Sequence, residues 1–191
     1  AIHNKLGNLY QAQLRLEEAL EQNREALRIF ERIGPPAKEA IILGNIAILD
    51  FNLRRYQEAL AGHRAAADIR MSIGDSAGLA ESRGNMANVW VALGDTAEAL
   101  HAFTQAATYF KVHGLMREYA VQAHNEAGVR LARGESHQAL TLYAEALALR
   151  ERMEDRKAIA SSLIGVADAN LKLGNNEQAR RSAVRALGMG S

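Results

Sequence analysis

Residues 86–106 read MANVWVALGDTAEALHAFTQA, and this stretch decides the fold. Met86, Ala87 and Trp90 fall on one helical face, and Leu93-Gly94-Asp95-Thr96 then breaks the run. A glycine can take the left-handed conformation that stops a helix. Asp95 with Glu98 has capping-box spacing for the next helix. Ala99, Phe103 and Ala106 continue that second helix, so the stretch is helix, turn, helix.

Working outward, the pattern returns every forty residues. Alanine recurs at Ala19, Ala59, Ala99, Ala139 and Ala179, and again at Ala26, Ala66, Ala106, Ala146 and Ala186. Gly7, Ala47, Ala87, Ala127 and Ala167 form a third small column, and Ala40, Ala80, Ala120 and Ala160 a fourth. Gly34, Gly74 and Gly114 separate successive units, and Gly134 and Gly174 repeat the break at Gly94. A period of this length means stacked supersecondary units, none able to bury its apolar face alone. The expected fold is therefore all-α: an α-solenoid of ten helices in five antiparallel pairs. The repeats fall at about 1–39, 40–79, 80–119, 120–159 and 160–191 of one array. In the first repeat Leu14 and Arg15 stand where the break is due, without a glycine to mark it.

Composition removes several function classes. With 23 basic and 22 acidic side chains the formal charge is +1, which offers no basic surplus for nucleic acid. Arg180, Arg181 and Arg185 read as a solvated helix face. Absence of cysteine rules out disulfides and thiolate chemistry and fits a reducing compartment, so a cytoplasmic location is expected. No apolar run approaches the roughly 18 residues of a membrane span, so no membrane partner is expected. The chain starts inside a repeat without a signal-peptide layout, which points to a piece of a longer protein. His3, His63, His101, His113, His124 and His137 form no metal-binding pair and read as surface or packing residues. Phosphate loops and nucleophile elbows are absent. Neither catalytic residues, metal nor cofactor is expected.

Met86-Ala87-x2-Trp90 followed by Ala99-x3-Phe103 and Ala106, Leu6-Gly7-x2-Tyr10 with Ala19, and Ala139-x3-Tyr143 with Ala146 resemble the tetratricopeptide repeat. The usual period is about 34 residues. The longer one here, with Gly44-Asn45-Ile46-Ala47 and Gly84-Asn85-Met86-Ala87-Asn88, looks like the long-repeat subclass. That subclass includes Pins-type adaptors and the sensor regions of bacterial regulators. The resemblance implies a right-handed superhelix whose first helices line a concave groove. Asp50, Arg130 and Asn170 stand where the family prefers an aromatic, and Glu126 where it prefers leucine. Glu126 and Arg130, four apart, can pair on one helix face. Such a pair is either a polar contact replacing an aromatic plug or a charge at the groove edge.

Another face of the first helices carries Asn45, Asn85 and Asn125 in one column, with Asn8, Asn52 and Asn88 nearby. Asparagine is mildly unfavourable inside a helix, so three in register need a reason. A carboxamide both donates and accepts, which suits a peptide backbone of any sequence. The resemblance gives this column that role; bracing neighbouring inner helices is the alternative. Lys5, Glu81, His124, Asp168 and Lys172 add groove charges of mixed sign. Beside them run Gln11, Phe51, Val91, Leu131 and Leu171, an apolar strip either open to a ligand or packed between helices. The leading expectation is a non-catalytic scaffold binding a protein or peptide, with self-association through the array ends possible. The alternative is a sensor or regulatory region of a larger signalling or transcription-regulatory protein, binding a peptide signal or neighbouring domains.

Overall fold

A computed structural model describes the backbone of residues 2–189 and the side chains of residues 14–32 and 34–189. Among the described residues nine helices follow one another: α1 (Ile2–Ile33), α2 (Pro36–Asn52), α3 (Tyr56–Ser72), α4 (Ser76–Leu93), α5 (Thr96–Val112), α6 (Met116–Ala132), α7 (Ser136–Arg152), α8 (Arg156–Lys172) and α9 (Asn176–Leu187). No strand occurs among the described residues. The all-α repeat reading stands, with one correction. The tenth helix is missing because α1 runs unbroken through Leu14 and Arg15. Leucine and arginine are good helix formers, and nothing there supplies a left-handed stop.

Elsewhere each turn within a repeat has such a stop. Gly94, Gly134 and Gly174 take φ of 87°, 82° and 77°. The second repeat has Arg54 at that place, forced to φ 61° without glycine's freedom. Its turn is held instead by the following residue, since Arg55 bridges to Glu17 of α1 at 2.6 Å and approaches the buried Asp50 at 3.8 Å.

The chain forms two compact bodies, residues 1–94 and 95–191. In the first, α1 packs on α2, α2 on α3 and α3 on α4. Its core is Ala59, Leu60, Ala67, Met86 and Val89, edged by Phe51, Tyr56 and Trp90. In the second, α5 through α9 pack each on the next, and α6 also reaches α8. The small columns lie where helices touch: Ala47, Ala59 and Ala66 in one body, and Ala127, Ala139 and Ala146 in the other, are fully buried. Small side chains there let backbones approach closely.

Asp50 and Asn170 are buried and Arg130 half-buried where the first helices would carry an aromatic, and each is paired five residues ahead. Arg130 holds the buried Glu126 at 2.7 Å and Glu135 at 2.8 Å, so the expected pair forms and gains a third member. Asn170 accepts from Asn175 and donates to the carbonyl of Val166. A longer beat of eighty residues, invisible in the simple repeat, appears at the ends of α3 and α7. The buried Arg70 donates to the carbonyl of Gly78 at 2.7 Å and to Ser82 Oγ at 2.9 Å. Arg150 does the same to the carbonyl of Ala158 and to Ser162 Oγ. Asp75 and Asp155 cap the following helices through the amides of Gly78 and Ala158.

Candidate functional site

In the first body a cavity of about 490 Å³ opens between α2, α3 and α4. His63 and Val89, both almost fully buried, form its deepest wall. Phe51 flanks it half-buried, tilted against the Tyr56 ring at 5.5 Å. Ile48 and Val91, each more than two-fifths exposed, stand at its mouth. Asn85 and Asn88 of α4 bring two carboxamides to a lining that is otherwise apolar apart from His63. One of them is partly engaged already: Asn88 Nδ2 donates to the carbonyl of Gly84 at 3.2 Å. The volume falls within the roughly 300–1,000 Å³ of ordinary ligand pockets.

His63 sits where an aromatic is due, at the fourth place after Ala59, as Phe103 follows Ala99 and Tyr143 follows Ala139. Its Nδ1 is buried and has no hydrogen-bond partner. Burial, reinforced by Arg70, pushes its pKa down to about 4, so the ring is neutral at physiological pH. The sequence expectation for His63 is a surface or packing histidine. The signal that marks it is its place in the aromatic column.

The second body fills the corresponding space with its own side chain. Tyr143 of α7 lies edge-on to the His124 ring at 5.0 Å. It covers Gly165, where an added Cβ would meet ring carbons at 2.6 Å, and its hydroxyl would stand 3.3 Å from a Cβ at Gly128. Ser161 Oγ and His124 Nε2 are 3.2 Å apart. Burial first, then Arg150, lowers the His124 pKa to about 4. Burial, then the charge of Asp168, raises that of Tyr143.

The proposed groove residues thus separate into different surroundings. Asn85 and Asn88 share the cavity, whereas Asn45 and Asn52 are exposed on α2. Glu81 is exposed and pairs with Arg70 at 3.2 Å. Asn125 is half-buried on α6, and Asp168 and Lys172 are exposed on α8. The side chains of Asn8, Lys5 and Gln11 lie outside the described residues. The apolar strip divides: Phe51 and Leu131 pack against cores, while Val91 and Leu171 are exposed. Among the described residues no cluster could hold a metal ion, and no helix is long and apolar enough to cross a membrane.

Helix pairs at a forty-residue period, buried alanine columns between them and a ligand-sized cleft define a helical repeat protein. Tetratricopeptide repeat models match residues 4–33 and 38–111, together more than half the chain, and the chain belongs to that family. No curated protein matches it in sequence. Among solved structures it is similar to BtubC (BKLC) from P. vanneervenii, at 20% identity and a TM-score of 0.84, over 96% of this chain and 76% of that one. The nearly identical TPR-like repeats from Podosopora anserina align at 17% identity and a TM-score of 0.75, over 97% and 91%. A Rap protein in complex with Competence and Sporulation Factor aligns at 13% and 0.78, over 96% of this chain but 52% of that one. At these identities the likeness is one of fold.

Proposed function

We propose that this chain is a non-catalytic interaction scaffold that binds a protein segment across the face of α2 and α4 bearing Asn45, Asn85 and Asn88. The observation that carries this reading is the cavity of the first body, apolar inside with carboxamides of Asn85 and Asn88 in its lining. Apolar walls supply affinity, while the few polar groups orient a peptide backbone. Asn125 and His124 on α6, with Asp168 and Lys172 on α8, are the corresponding polar positions of the second body.

The test is selection of peptides from a display library against the chain, followed by calorimetry. Each of Asn85→Ala and Asn88→Ala should weaken the selected peptide by ~0.5–1.5 kcal/mol, the net value of a hydrogen bond. Melting curves should hardly move. Variants that unfold early yet bind normally when folded would assign the asparagines to bracing.

A second reading, a sensor region within a larger regulator, is favoured by the Rap protein. This chain spans about half of that protein, which was solved with a bound factor. Binding of a flanking segment of the full-length product in trans would support it.

A further inference from the structure

The two bodies share one helix register but carry different side chains around the aromatic position of the second helix. Counting back eighty residues, Tyr143 becomes His63, Gly128 becomes Ile48, Gly165 becomes Asn85 and Asp168 becomes Asn88. Gly128, Gly165 and Asp168 near Tyr143 are therefore the register counterparts of three lining residues, and the two glycines stand where the first body has larger side chains. In the second body a phenol ring occupies that place and is almost fully buried. The first body has the smaller imidazole in its column, and the space beside it is open.

We propose that the cavity of the first body takes a tyrosine side chain of a bound partner, its ring between Ile48, Phe51 and Val89 and its hydroxyl on His63 Nδ1. The proposal rests on the reading of this face as a partner-binding surface and names what anchors the partner. Two observations support it. The wall is apolar over most of its lining, as an aromatic ring requires. His63 Nδ1 is a buried polar atom with no partner, and such an atom costs stability until it is satisfied. A phenol hydroxyl both donates and accepts, so it serves either tautomer of the neutral ring; an indole N–H only donates, and a phenylalanine ring offers nothing.

Titration of the chain with p-cresol, toluene and 3-methylindole, read by NMR, tests the pocket without a peptide. p-Cresol should shift the Asn85 and Asn88 side-chain amides, the Val89 and Val91 methyls and the His63 ring along one saturable curve. Toluene should bind at least threefold more weakly. His63→Phe, which matches Phe103 in its column, should reduce p-cresol affinity at least tenfold. Ile48→Trp should do the same from the exposed mouth, so a folding defect in the first variant leaves the proposal testable. Shifts scattered away from these residues, affinity unchanged in both variants, or tighter binding of 3-methylindole would overturn the assignment. Display-selected peptides should contain a tyrosine whose change to alanine costs at least tenfold in affinity. Peptides that depend on Asn85 yet lack any such tyrosine would overturn the anchor and leave the interaction face standing. Saturable p-cresol binding with no peptide selected would support the pocket and overturn the interaction face.

Discussion

Replacing Arg54 or Glu154 by glycine should stabilise the protein, although each replacement removes a whole side chain. Both residues lie in the left-handed region, at φ 61° and 55°, and both side chains are exposed. A side chain in that conformation costs roughly 1–2 kcal/mol, because its Cβ crowds the following carbonyl. Glycine removes the crowding but gives the unfolded chain more freedom, which costs back about 0.4–1 kcal/mol. The difference is a gain of ~0.5–1 kcal/mol at each site. Urea unfolding measures it, with the midpoint rising at unchanged slope. Trp90, the single tryptophan, reports on the first body for Arg54→Gly, and helical circular dichroism follows Glu154→Gly. The control runs the other way: Gly134→Ala, at φ 82°, should cost about 1 kcal/mol or more. A lowered midpoint for Arg54→Gly, together with a neutral Gly134→Ala, would refute the strain argument.

Acid should weaken the fold through His63. Its pKa is about 4 when folded and 6.5 when free, so between these values the unfolded chain binds more protons. Its contribution is whole above pH 6.5 and lost as pH falls to 4, about 3 kcal/mol in all, and His63→Phe should remove that share of the acid limb. Asp50, whose pKa burial raises, works in the opposite sense and offsets part of the loss. Ala139→Leu, at a fully buried helix contact, should cost ~1–3 kcal/mol by overpacking, and a neutral melt would place that column in solvent. Arg150→Ala leaves Ser162 Oγ and the Ala158 carbonyl without their donor and should cost about 1–3 kcal/mol in urea unfolding, whereas Arg181→Ala at the surface should change little.

The forty-residue beat was enough, by itself, to determine the helix pairs, the turns at Gly94, Gly134 and Gly174, and the buried alanine columns. Those features depend on spacing along the chain and on side-chain size, and both are written in the sequence. The Glu126–Arg130 pair was legible for the same reason, since residues four apart in a helix must face each other. The uninterrupted α1 was not, because a repeat pattern predicts a turn even where no residue enforces one. Nor could the sequence give His63 its character. A histidine in the aromatic column becomes a neutral ring with an unpartnered Nδ1 only when three helices close over it and exclude water. The same closure separates Asn85, which lines a cavity, from Asn45, which faces solvent although it holds the same place in its repeat. Register assigns a residue to a face, but how far that face is covered depends on the neighbouring helices, and only the tertiary structure decides it.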